Sequence, residues 1–160
     1  MKQDIMFGKP VKWWPVSVYN WPICQFHSLL HDKDARLILN PSYQRGLVWN
    51  MDRKLALLDS LIGGLGVPGV YIRQNDNYTY EVIDGQQRIH TICSFMDGDF
   101  PLNGKEWSEH LEQDRRGFGM ITLGVTMLKH ISDEDALEIY NRINFNGVPH
   151  EPKTLNPSTH

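Results

Sequence analysis

Apolar positions along the chain fall into stretches of helical spacing separated by short β-prone runs. Val16–Tyr19 is the first such run, and Pro22 suits the first turn of a helix over Ile23–His31, where its missing N–H is harmless. Arg36–Leu39 reads as a strand closed by Asn40–Pro41, and Pro41–Trp49 as an ordered loop rich in polar and aromatic residues. A helix over Arg53–Ile62 is expected next, capped by Asp52, with Leu55, Leu58 and Ile62 on its buried face and Gly63–Gly64 ending it. Val67–Arg73 and Tyr78–Ile83 read as two strands joined by the polar turn Gln74–Asn77. From Gln86 the spacing of Ile89, Ile92, Cys93 and Met96 predicts a helix that stops at Gly98. Phe100–Trp107 reads as a loop or short hairpin, followed by a short helix to Gln113 and a strand over Ile121–Leu128. The last helix is the clearest. Ser132 caps it, Asp135 stands as an acidic capping-box partner, and Ala136, Ile139, Tyr140 and Ile143 form its apolar stripe, with Gly147 just past its end. The expected fold class is α+β, a compact domain over 1–150 with a small mixed sheet flanked by helices, and a polar tail over 151–160.

Composition changes this picture little. Hydrophobic residues make up 41% of the 160 positions and charged residues 22%, as in ordinary globular chains. The five tryptophans point to an aromatic-rich core or ligand groove. A net charge of −3 excludes a chain-wide basic footprint for nucleic acid, leaving Lys105 with Arg115–Arg116 as a local basic candidate. The two cysteines, Cys24 and Cys93, form no CxxC pair and read as buried free thiols, which fits a reducing, cytoplasmic compartment. No signal peptide and no membrane partner are expected, because no run is apolar or long enough.

Three clusters carry candidate chemistry. The first is VIDGQQRIHTI, Val82–Ile92, where a strand gives way at once to a helix. The first turn of a helix offers N–H groups and the positive end of its dipole to an anion. Gly85 permits close backbone approach, Gln86 and Gln87 add amides, and Arg88 can hold a phosphate with two hydrogen bonds. Asp84 can cap the helix or bind a divalent ion. The plain alternative is a stable Asp-Gly turn with Arg88 paired to Asp84. The second cluster is NPSYQRGLVW, Asn40–Trp49, in which Tyr43 and Trp49 could stack on a base or on Arg45, or simply fill the core. The third is YNRIN, where Asn141, Arg142 and Asn144 project from the helix end, for a ligand or merely for the helix dipole. His27 and His31 have the i, i+4 spacing of a metal-binding pair, but no third ligand stands near them in sequence, so they read as ordinary histidines. No nucleophile elbow, Walker loop or HExxH motif occurs.

The order YQRGLVW, VIDGQQRIHTI, SDEDALEIYNRINFNGVP resembles the N-terminal domain family of GmrSD-type modification-dependent restriction enzymes, itself similar to the ParB/sulfiredoxin superfamily. The resemblance covers Leu37 to Pro149. It implies a ParB/sulfiredoxin-like fold and nucleotide binding or hydrolysis around the DGQQR turn. Gln44, Arg45, Gly85, Gln86, Arg88, Thr91, Arg142 and Asn144 become candidate nucleotide-binding residues. Asp84, Gln87 and Arg88 become candidate catalytic groups, and Asp84 the ligand of Mg²⁺ beside a nucleoside triphosphate. The implied setting is DNA restriction or phage–host conflict. DNA, a defence protein or a second copy of the chain are the further partners it suggests. A non-catalytic nucleotide-sensing or protein-binding module is the alternative, and phosphoryl transfer to a small acceptor a third. No HNH-like cluster is present in these residues, so DNA cleavage by that route is not expected of them.

Overall fold

The computed structural model describes residues 4–39 and 49–145. In chain order the elements are β1 (Ile5–Met6), β2 (Lys9–Pro10), β3 (Val16–Pro22), α1 (Ile23–Leu30), β4 (Leu37–Ile38) and α2 (Met51–Ile62). They continue with β5 (Val70–Gln74), β6 (Tyr80–Asp84), α3 (Gln86–Met96), a 3-10 turn (Trp107–Glu109), α4 (Glu112–Met120), β7 (Thr122–Lys129) and α5 (Asp133–Phe145). Strands β1 and β2 form a separate small hairpin. The other five make one mixed sheet in the order β3-β7-β5-β6-β4. The pairs β3–β7 and β5–β6 are antiparallel, whereas β7–β5 and β6–β4 are parallel.

Side chains alternate across this sheet as the strand period requires. Val70, Ile72, Val82, Leu123, Val125 and Met127 turn to one face and share a core with Phe26 of α1, Leu58 of α2, Ile89 and Ile92 of α3 and Phe118 of α4. Ile83 and Leu128 turn to the other and pack against Ala136 and Ile139 of α5. The chain is therefore α+β, with helices on both faces of a small mixed sheet, as expected.

The C-terminal elements follow the sequence pattern closely. Ser132 Oγ accepts from the Asp135 N–H at 3.1 Å, the predicted cap. The Asp135 carboxylate is held in turn by the Ser132 backbone N–H, as a capping box requires, and also takes Lys12 as its ion-pair partner. Four expectations need correction. The α2 cap is Asn50, whose side chain accepts from Arg53 N–H at 3.0 Å, so Asp52 lies inside the first turn. Leu57, Leu58 and Leu61 are the buried residues of α2, whereas Ile62 is 55% exposed. Ile62 ends the helix and lines an open cleft with Phe95, Trp107 and Phe118 instead of the core. The segment before Gln113 holds only the 3-10 turn; the true helix is α4, beginning at Glu112. Cys93 is buried, but Cys24 is only half-buried. Phe100–Trp107 does contain a minimal hairpin, closed by the bridge between Leu102 and Lys105.

Candidate functional site

The DGQQR turn sits where β6 ends and α3 begins. Asp84 is the last strand residue, and Gly85 is the single residue between the two elements. Its φ of +104° lies in the left-handed region open to glycine. A Cβ there would stand 2.4 Å from Val70 Cγ1, so the turn is pressed against the start of β5. Both requirements select glycine, and together they send α3 off at once, first turn foremost. The amides of that turn have no acceptor within the helix itself.

Arg88 returns over this turn from one helical turn on. Its Nη2 donates to the Gly69 carbonyl at 2.8 Å and lies 3.3 Å from Asp84 Oδ2. Gly69 in turn is packed backbone to backbone against Gly124, where an added Cβ would meet the Gly124 carbonyl oxygen at 2.7 Å. The Arg88 Nε is buried and has no hydrogen-bond partner among the described residues. The Asp84–Arg88 pair of the plain reading thus exists, and Arg88 also ties α3 to the start of β5. Gln87 is half-buried and accepts from the Trp49 N–H at 3.3 Å. That contact places the last residue of the NPSYQRGLVW segment beside the turn.

The remaining candidates divide. Gln44 and Arg45, with Tyr43, lie outside the described residues. Trp49 is half-buried and stacks on an arginine, but on Arg53, whose guanidinium carbon is 4.8 Å from the ring centre. Gln86 and Thr91 are both buried, at 4% and 1% exposure. Thr91 is enclosed in the body of α3 rather than displayed, and its Oγ1 has no partner among the described residues. Arg142 donates to Glu138 Oε1 at 2.6 Å and lies over Trp14, 5.1 Å from the ring centre. Asn144 Nδ2 donates to the Tyr140 carbonyl of its own helix at 2.8 Å. These two side chains are therefore turned to neighbours on α5 and the N-terminal segment. The helix itself starts near the far end of β5, where Arg73 pairs with Asp133 at 2.6 Å, and packs on β6. Its C-terminal end therefore runs in the direction of the sheet end that carries Asp84.

One constellation is absent from the sequence reading. Asp97, the residue that caps the C-terminal end of α3, meets His27 Nε2 at 2.7 Å through Oδ1 and His31 Nε2 at 2.9 Å through Oδ2. The reading of these histidines as lacking a third ligand is corrected by this contact. Seventy residues separate Asp97 from His27, so only the packing of α1 on α3 brings them together. The i, i+4 histidine spacing was the one signal available beforehand.

The family model described as GmrSD restriction endonuclease, N-terminal domain, matches residues 26–121. That span begins within α1, holds the DGQQR turn and α4, and stops short of Arg142 and Asn144. No curated protein sequence matches the chain. Among solved structures, the C-terminally truncated chromosome-partitioning protein ParB from Caulobacter crescentus, complexed with CTP-gamma-S, is similar over 84% of this chain and 56% of its own. The identity is 14% and the TM-score 0.47, and the chain spans little more than half of that protein's length. Among the described residues no helix is long and apolar enough to cross a membrane.

Proposed function

The chain belongs to the GmrSD restriction endonuclease N-terminal domain family, and from that premise we propose that its Asp84–Arg88 turn is the phosphate-holding part of a nucleotide site. The observation that carries the reading is Gly85. A left-handed glycine held against Val70 starts α3 directly from β6, which aims the positive end of the helix at the space beside Asp84 and Arg88. Phosphate oxygens would accept from the first-turn amides, and Arg88 would add charge from the side. Gln87 accepts from the Trp49 N–H, and Gln44 and Arg45, which precede Trp49 in the chain, would supply the second wall. Arg142 and Asn144 would join only by leaving their present partners. Thr91 would act from behind the turn, through packing. Asp84 belongs to no group of three metal-ligating side chains among the described residues. Its single part-exposed carboxylate, beside Arg88, would hold Mg²⁺ only together with bound nucleotide, since that ion typically takes one or two carboxylates and completes its shell with phosphates and water.

The activity proposed is Mg²⁺-dependent hydrolysis of a nucleoside triphosphate in DNA restriction or phage–host conflict. Mg²⁺ would neutralise phosphate charge, Asp84 would hold it, and Gln87 would orient the attacking water. Phosphate release by the wild type, lost in Arg88→Ala, is the expected result; equal rates in the two proteins would remove the catalytic assignment.

A second reading has its own support. Arg88 is already bonded to Gly69 and Asp84, an arrangement suited to a rigid binding module that senses nucleotide without turning it over. Nucleotide affinity without phosphate release would select it. DNA and defence proteins remain proposed partners of either form. DNA binding through phosphates would weaken steeply as salt rises.

A further inference from the structure

We propose that His27, His31 and Asp97 form a binding site for a zinc-like divalent transition ion, separate from the nucleotide turn. One ligand atom from each residue lies within 4.8 Å of the others. The two imidazoles come from successive turns of the end of α1, with ring centres 4.5 Å apart. The carboxylate comes from the C-terminal end of α3, where the Asp97 N–H is fixed by the Cys93 carbonyl at 2.9 Å. Both Nε2 atoms already converge on the same carboxylate. With metal–ligand bonds of about 2.1 Å, a tetrahedral site needs its ligands about 3.4 Å apart. The two histidine–carboxylate contacts of 2.7 and 2.9 Å would open, and ligand atoms lying up to 4.8 Å apart would close, to reach that spacing.

The donor set decides the class of ion. Two imidazole nitrogens and one carboxylate oxygen suit Zn²⁺, Co²⁺ or Ni²⁺, whereas Mg²⁺ and Ca²⁺ favour oxygen ligands throughout. Three protein ligands leave a fourth position for water. The side chains are 28%, 50% and 31% exposed, so an ion can reach them from solvent. The bound ion would clasp α1 to the end of α3. The eleven residues of α3 put this site about 16 Å from the DGQQR turn, so its failure would leave the nucleotide reading untouched.

The test uses untagged chain stripped of metal, titrated with ZnCl₂ while thermal unfolding is followed, and with CoCl₂ while visible absorption is followed. Saturating Zn²⁺ should raise Tm by on the order of 5 °C, and Co²⁺ should show the intense visible band of a low-coordinate site. His31→Ala and Asp97→Asn should each weaken Zn²⁺ binding at least tenfold and abolish the band. His130→Ala, at an exposed histidine elsewhere, should change neither. Absence of a Zn²⁺-dependent shift in the wild type would overturn the proposal, and so would a shift of equal size in all three variants.

Discussion

Helix α3 starts at a glycine pressed against Val70 and ends at an aspartate held by two histidines. The first end is made by backbone. Its conformation at Gly85 and its contact with Val70 are buried, while its tie to Gly69 is made at an exposed carbonyl. The second end is made by side chains that stay accessible to water and touch residues from a distant part of the sequence. The difference bears on both stability and ligand preference. Buried backbone constraint is costly to break, and the first-turn amides it presents are the ones proposed to take an anion such as phosphate. Exposed imidazole–carboxylate contacts contribute little alone and suit a cation that replaces them.

Gly85→Ala should break the first end with the largest effect. It combines an unfavourable positive φ with overlap against Val70, a loss of about 3 kcal/mol. The urea midpoint should fall clearly. An unchanged midpoint would mean the turn is not under this constraint. His31→Ala in metal-free protein should lower stability by no more than about 1 kcal/mol, since exposed pairs contribute little. A loss as large as that of Gly85→Ala would erase the contrast between the two ends.

Thr91→Val sharpens the account of the proposed nucleotide end. Its hydroxyl is buried with no partner among the described residues, so an apolar group of the same shape should stabilise by about 1 kcal/mol. Nucleotide affinity should stay unchanged. Lost affinity would return Thr91 to the set of residues that touch ligand.

The smallest effects concern the two titratable groups on the body of α3. Burial, and then the charge of Lys54, holds the His90 imidazole below its ordinary range, against an opposing pull from Asp99. The unfolded chain therefore takes up this proton more readily. The contribution is complete above the ordinary pKa of about 6.5 and is lost as pH falls below it. His90→Gln should flatten the slope of the unfolding midpoint on the acid side of that value; an identical slope would contradict it. Burial, with help from the charge of Asp97, pushes the Cys93 thiol up to about 12. Cys93 should resist alkylation at neutral pH in native protein and react once denatured. Rapid native labelling of Cys93 would contradict its enclosure.

The two ends of α3 also differ in how far the sequence reveals them. The DGQQR turn is contiguous, and its glycine, amides and arginine act on neighbours in the chain, so its place at a strand–helix junction was legible. So were α5 with its Ser132 cap and the strand β7. What the pattern did not carry was tertiary. Nothing near His27 in sequence announces Asp97, which arrives through the packing of α1 on α3. Helix α4 was missed because EQDRRGFGM has little apolar periodicity, and its one large buried anchor, Phe118, packs on Phe95 and Trp107. The burial of Thr91 and the placement of Arg142 over Trp14 likewise depend on neighbours that local spacing does not name.

The central claim is that the glycine-led end of α3 holds phosphate. Isothermal titration of ATP, GTP and CTP with Mg²⁺ into wild type and Arg88→Ala, each shown folded by circular dichroism, tests it most directly. The account predicts that at least one nucleotide binds the wild type and binds Arg88→Ala at least tenfold more weakly. No binding by any of the three, or equal affinity in the two folded proteins, would contradict it.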